Sequence, residues 1–256
     1  NGGAISAYFS TLTLDNSGLS ALAARTGASS INLIGGTLVF GGRQGTDALT
    51  IAGGVNLLSG ASTITENLFG SSAVGTGAAV LTLASLNQSG TATLNFTVGG
   101  GILGTAVLGM NGLAPGSAAS NPQILITAAP TLVNGIIGGW AVVGGTDFAS
   151  YRAIMDPVTG ALGVGALGLS LNSTNPFGAY SANALTVGSA IDNITIAASV
   201  GAVTSRAINS LRISAVSTAT LNTLGDVLSI TSGGLLTNGA LSVIAGGRLT
   251  AGAATS

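Results

Sequence analysis

The charged residues of this chain concentrate only once, and they do so close to its single tryptophan. Asp147, Tyr151, Arg152 and Asp156 follow Trp140 within one short stretch. An indole face flanked by carboxylate and guanidinium groups is the arrangement that stacks on a sugar ring and hydrogen-bonds its hydroxyls, so these five residues form the candidate surface-contact site. The competing reading is structural. Trp140 fills or caps the core, Tyr151 hydrogen-bonds at its edge, and Asp147 caps the turn after Gly144-Gly145. Asp147 and Asp156 are also the carboxylates that glycoside hydrolysis would use, but that chemistry needs both at a defined separation on one face, and nothing in their spacing makes them converge.

Most other chemistry is excluded by what the chain lacks. Its charged set is six arginines, six aspartates and one glutamate, Glu66, with no lysine, histidine or cysteine. Imidazole acid–base catalysis, thiol nucleophiles, disulfides and metal sites built on imidazole or thiolate are therefore ruled out. A lysine-containing phosphate loop is ruled out as well. Six scattered arginines are a poor clamp for uronate groups, which argues against β-elimination on acidic polysaccharide. Gly45-Thr46-Asp47 and Gly145-Thr146-Asp147 do not recur as a calcium-binding repeat would. A net charge of −1 without a basic cluster argues against nucleic acid. The expectation is a protein that is not an enzyme and carries no cofactor.

The elements that would position the five residues are short strands. Ile31–Ile34 (INLI), Thr37–Phe40 (TLVF), Ala48–Ala52 (ALTIA) and Val55–Leu58 (VNLL) alternate polar and apolar residues and are separated by glycine-rich turns, the period-two pattern of half-buried strands. The pattern returns at Ala79–Leu83, Ala92–Val98, Ala184–Val187, Asn193–Ile196, Ser210–Ile213, Thr220-Leu221, Val227–Ile230, Leu235-Leu236 and Ala240–Ile244. Double glycines follow or precede several of these runs, at 35–36, 41–42, 53–54, 233–234 and 246–247. Units this short cannot bury an apolar face alone, and stacking them as coils is the economical solution. The predicted fold is all-β, a single-stranded parallel β-helix (β-solenoid) with glycine-rich corners, at about 20 residues per coil, which for this length means on the order of 12 coils.

The whole chain, 1–256, reads as one solenoid domain. Segments 99–130 and 138–173 break the pattern and read as loop-rich elaborations within it. Mean hydropathy is high at +0.67, but the uncharged stretch Gln123–Gly145 is interrupted by Pro130, Asn134 and paired glycines, so no membrane-spanning segment is expected. The start at Asn1-Gly2-Gly3 reads as a mature or excised piece. Asn-x-Ser/Thr matches occur at Asn87, Asn95, Asn172 and Asn193.

Three stretches together resemble a family. Leu81–Phe96 (LTLASLNQSGTATLNF), Ile136–Tyr151 (IIGGWAVVGGTDFASY) and the succession Asn209–Ile213 (NSLRI), Leu228–Leu236 (LSITSGGLL) and Gly246–Thr250 (GGRLT) are similar to segments of very large bacterial surface proteins with autotransporter-associated β-strand repeats. The resemblance spans roughly residues 31 to 256, and the stretch from Trp140 to Tyr151 is its most specific part. It implies a parallel β-helix within a secreted or cell-surface fibrous protein. The corresponding expectations are a structural subunit that self-associates head to tail or laterally, with a cell-surface glycan as the alternative partner and a secreted polysaccharide-degrading enzyme as the second alternative.

Overall fold

The computed structural model describes residues 3–16, 24–43, 48–69, 79–100, 122–170, 173–238 and 241–252. It is all-β and mostly parallel. The first coil carries β1 (Ile5–Tyr8) and β2 (Thr11–Asp15). The second carries β3 (Ile31–Ile34), β4 (Thr37–Arg43) and β5 (Ala48–Ile51), the third β6 (Val55–Ser59), β7 (Ala61–Phe69) and β8 (Val80–Leu83), and the fourth β9 (Leu86–Gln88), β10 (Thr93–Gly100) and β11 (Gln123–Ile126). Corresponding strands pair in parallel, giving three faces: β1-β3-β6-β9, β2-β4-β7-β10 and β5-β8-β11. This is the β-solenoid expected from the alternation. Ile31, Val55 and Leu86 are register partners, so coils advance by 24 and then 31 residues, more than the 20 expected.

Period-two alternation sorts the side chains. Leu38, Phe40, Leu49, Ile51, Ile64, Leu81, Leu83, Leu94 and Phe96 point inward and are buried. Outward positions form columns. Asn32, Asn56 and Asn87 hand an amide hydrogen bond from coil to coil (Asn56 Nδ2 to Asn32 Oδ1, 2.9 Å; Asn87 Nδ2 to Asn56 Oδ1, 3.0 Å). The Thr65 and Thr97 hydroxyls are 2.7 Å apart. Such ladders keep both partners satisfied because each residue meets a compatible one in the next coil.

The parallel pattern then ends. β12 (Ala141–Val143) adds to β10, but β13 (Asp147–Arg152) pairs antiparallel with β12, and β14 (Gly163–Ala166) antiparallel with β13. The described part of the 138–173 segment is thus largely a three-stranded meander that extends the second face of the solenoid. Of the other elaboration, residues 101–121 lie outside the described residues. Beyond the meander, a second parallel stack comprises β15 (Ser181–Ala182), β16 (Asn193–Ile196), β17 (Val200–Val203), β18 (Arg206–Ile213), β19 (Ser217–Leu221), β20 (Val227–Thr237), β21 (Ser242–Ala245) and β22 (Arg248–Ala251). Its faces are β15-β16-β18-β20-β22 and β17-β19-β21, around an aliphatic core of its own that includes Ile194, Ile208, Leu211 and Leu228. Ala184–Val187, read as a strand in the sequence, is instead a turn closed by Val187 and Gly188 amides on the Ala184 carbonyl. Leu185 alone of that run anchors in the core.

Two turns of the second stack are clasped by aspartates at matching positions. Asp192 accepts from the Ser189 amide and hydroxyl, both at 2.8 Å. Asp226 accepts from the amide and hydroxyl of Thr223 (both 2.8 Å) and from those of Ser205 one coil earlier (2.7 and 3.0 Å). These bonds hold both carboxyls below the ordinary range: the Ser189 amide is the main cause for Asp192 and the Thr223 hydroxyl for Asp226.

Glu66 breaks the rule that inward positions are apolar. It occupies the column Leu14–Phe40–Glu66–Val98 and is fully buried. Neither carboxylate oxygen has a hydrogen-bond partner among the described residues. Burial raises its pKa well above the ordinary value, and the Gln123 amide, which already donates to the Ala79 carbonyl (3.0 Å), opposes that rise only in part. Burial thus favours the neutral acid over the carboxylate at this position. Because its folded pKa is raised, its contribution to stability is fully present below the unfolded value near 4.5 and is lost as pH rises through the folded pKa. Glu66→Met, close in volume and apolar, is expected to raise stability by about 1–3 kcal/mol through removal of the unsatisfied group. Urea unfolding at acidic and alkaline pH checks this: the gain should be larger at alkaline pH.

Candidate functional site

The meander exists because the chain reverses at two glycines. The Trp140 carbonyl accepts from the Leu94 amide (2.8 Å) and the Gly144 amide donates to the Phe96 carbonyl (2.8 Å), which locks β12 onto the last coil. Gly144 and Gly145 then take φ of 63° and 69°, a left-handed pair suited to the turn of a tight hairpin. The Gly145 amide donates to Asn95 Oδ1 at 2.9 Å. Residues 147–152 return as β13.

This reversal sends the five candidate residues to different neighbours. Trp140 is half-buried and packs against the first core. The Tyr151 hydroxyl donates to the Ile126 carbonyl (2.7 Å) and accepts from the Ile126 amide (2.9 Å), tying β13 to the end of β11; burial pushes its pKa up. Arg152 donates to the Pro176 carbonyl (2.7 Å) and ion-pairs with Asp156 (3.3 Å). Asp156 Oδ1 also accepts from the Thr159 and Val158 amides and the Thr159 hydroxyl, and its carboxyl is held low, chiefly by the Thr159 amide. Arg152 and Asp156 thus act together, while Asp147 faces elsewhere.

Asp147 reaches the second stack. Its Oδ1 lies 3.3 Å from Arg212 Nε, and Oδ2 accepts from the Thr146 hydroxyl (3.0 Å). Arg212 Nε also donates to the Thr146 carbonyl (2.8 Å), and the guanidinium sits 5.3 Å from the centre of the Tyr180 ring. The Tyr180 hydroxyl accepts from the Phe148 amide at 3.0 Å, and burial keeps that phenol far above its usual pKa. Tyr180 and Arg212 were not singled out by the sequence as partners of this region. Arg212 sits in the NSLRI stretch, but no local signal ties it to a residue 65 positions earlier.

A second contact between meander and stack is a polar network. Asn134 and Gly135 turn the chain with φ of 49° and 91°. Asn134 Nδ2 donates to Asn209 Oδ1 (3.1 Å), Asn209 Nδ2 to Asn193 Oδ1 (2.7 Å), and Asn193 Nδ2 to the Asn134 carbonyl (2.6 Å), closing a ring to which the Ser210 hydroxyl adds a bond on Asn193. Gly139 packs against the second stack, where a Cβ would collide with the backbone of Ser232 and Gly234. Asn193, one of the four glycosylation matches, is only 6% exposed and spent on this ring. Asn95 is engaged with the hairpin, Asn87 stands exposed in the asparagine column, and Asn172 lies outside the described residues.

Chemically, the arrangement is a set of clasps. Asp147 and Asp156 hold different partners and share none. Among the described residues no group of three carboxylate, imidazole or thiolate side chains is placed to hold a metal ion. Asp47 is outside the described set. Among the described residues no helix is long and apolar enough to cross a membrane. No family model, curated protein or solved structure matches the chain. Fold and site together define a repetitive all-β protein of β-solenoid architecture. Tyr180→Phe, which strands the Phe148 amide, should cost about 1–3 kcal/mol. It should also speed hydrogen exchange at Phe148 while leaving Ile64, inside the first stack, unchanged.

Proposed function

We propose that this chain is a structural segment of an extracellular or cell-surface β-helical fibre, with self-association as its working interaction and no catalytic role. The observation that carries this reading is the coil-over-coil register. Strands repeat in parallel with inward aliphatics stacked on aliphatics and outward asparagines and threonines stacked in columns. Such an architecture transmits load along a ladder of backbone hydrogen bonds and extends by adding strands. The candidate residues support the same reading, because Tyr151, Arg152, Asp156 and Asp147 each tie one element to another. The resemblance of residues 81–96, 136–151 and 209–250 to autotransporter-associated repeat proteins points to the cell surface or the secreted state.

Electron microscopy and light scattering across a concentration series test the proposal. Filaments, with mass rising as concentration rises, are the expected result. Single short rods at every concentration, together with selective capture of a glycan that Trp140→Ala abolishes without unfolding the protein, would favour a carbohydrate-binding adhesin module instead.

A further inference from the structure

The second face of the first stack carries threonine in a pattern that core packing does not require. Its outward positions form two columns. One runs through Thr11, Thr37, Thr63 and Asn95, the other through Thr13, Val39, Thr65 and Thr97, and no bulge interrupts the register from β2 through β10. All of these residues are exposed or half-buried, and none is charged. We propose that this face is an ice-binding surface, whose ligand is the ordered water of an ice crystal. Ice binding goes beyond self-association and does not depend on it.

The parallel coils set the spacing. Successive strands lie about 4.8 Å apart, and outward neighbours along one strand are two residues, or about 7 Å, apart. The columns therefore form a two-dimensional lattice, and both of its repeats are close to those of the oxygen atoms on a face of hexagonal ice. Each threonine presents a hydroxyl, able to donate and accept, beside a methyl group. The hydroxyl can stand in for a water of the lattice while the methyl fills the gap between waters. Branching at Cβ restricts χ1, so little rotamer freedom is lost when the face docks.

The hydroxyls are largely unspent. Those of Thr11, Thr13, Thr37 and Thr63 bond to no protein group, while Thr65 and Thr97 share one bond of 2.7 Å. The array ends where the second stack begins: Asn95 accepts from the Gly145 amide, and its register partner Val142 packs with Tyr180 and Leu236. Charge fits as well. Ice is an uncharged lattice, and an ionic side chain in the array would order water around itself instead.

Strand preference alone does not produce this surface. Threonine suits any half-exposed strand position, and that preference acts equally on all three faces of the stack. The outward column of the first face is nevertheless Ser6, Asn32, Asn56 and Asn87. On the third face Thr50 and Thr82 are followed by Leu125, beside a column of Ala48, Val80 and Gln123. Paired threonine columns are confined to the second face of the first stack.

The test is how much of the full chain enters slowly growing ice, together with the shape of single ice crystals in its presence. The wild-type protein should enter the ice, from which ordinary solutes are excluded, and the crystals should become faceted. Thr63→Tyr raises a ring from the middle of the array and should lower incorporation several-fold. The same substitution at Thr82, on the third face, should leave it unchanged. Thr63→Val keeps the shape and strand preference but drops the hydroxyl, and should give an intermediate loss even if the tyrosine variant unfolds; urea midpoints show which variants are folded. Exclusion of the wild-type protein from ice, with rounded crystals, overturns the proposal. Incorporation that folded Thr63→Tyr and Thr63→Val proteins retain in full overturns the assignment to this face. Capture on crystalline cellulose that Thr63→Tyr abolishes, without incorporation into ice, would give the face to a polysaccharide surface and overturn the proposal too.

Discussion

Everything in this structure depends on one spacing. Parallel strands in successive coils lie about 4.8 Å apart, so each side chain is stacked directly on the one a coil earlier. A residue is tolerated only if it can live beside its neighbour at that distance. Asparagine does so by handing an amide hydrogen bond along the column, as from Asn87 to Asn56 to Asn32. Threonine does so through hydroxyl pairs such as Thr65 and Thr97. Leucine, isoleucine and phenylalanine do so by filling the core. Like charges cannot, which is the physical reason that a chain of 256 residues carries only 13 charged side chains. Those described lie mostly at turns, in ion pairs or at strand ends.

The same constraint explains where the molecule departs from repetition. Coils can stack until the chain reverses, and Gly144-Gly145 reverses it. The meander that follows cannot continue the ladder, so it is fixed by side chains: Tyr151 to Ile126, Asp147 to Arg212, Tyr180 to Phe148, and the asparagine ring of residues 134, 193 and 209. Between 140 and 156, Asp147 reaches Arg212 of the second stack, Tyr151 holds β13 to β11, and Arg152 engages Pro176 and Asp156. Glu66 stands apart as a polar residue at a core position, its pKa raised by burial.

The fold was legible where local pattern and pairing coincide. Runs such as INLI, TLVF and ALTI alternate so plainly that their strands are recovered to within a few residues, and the double glycines at 35–36 and 246–247 do mark corners. ALTV at 184–187 has the same alternation but no partner strand at that place, so it closes as a turn. The antiparallel sense of β13 and β14 was not legible, because a short strand carries no record of the direction of its neighbour. Coil length was underestimated because the repeat is not constant, with register partners Ile31, Val55 and Leu86 spaced by 24 and then 31 residues. At the candidate site, the packing of Trp140 on the first core and the Tyr151–Ile126 hydrogen bonds are contacts of the kind that residue type suggests. The Tyr180–Arg212–Asp147 cluster was not legible, since it depends on contacts between stacks distant in sequence. Glu66 was readable in principle, as Thr-Ile-Thr-Glu places it on the inward parity with Ile64.

The central claim is parallel, in-register stacking of the coils, and a pair of cysteines one coil apart tests it most directly. Thr37 and Thr63 are register partners on outward positions of β4 and β7. In a Thr37→Cys/Thr63→Cys protein a short bifunctional thiol reagent should join the two residues within one chain rapidly and nearly completely under native conditions, and poorly in denaturant. A native protein in which that pair cross-links no better than it does in denaturant would contradict the stacked-coil account.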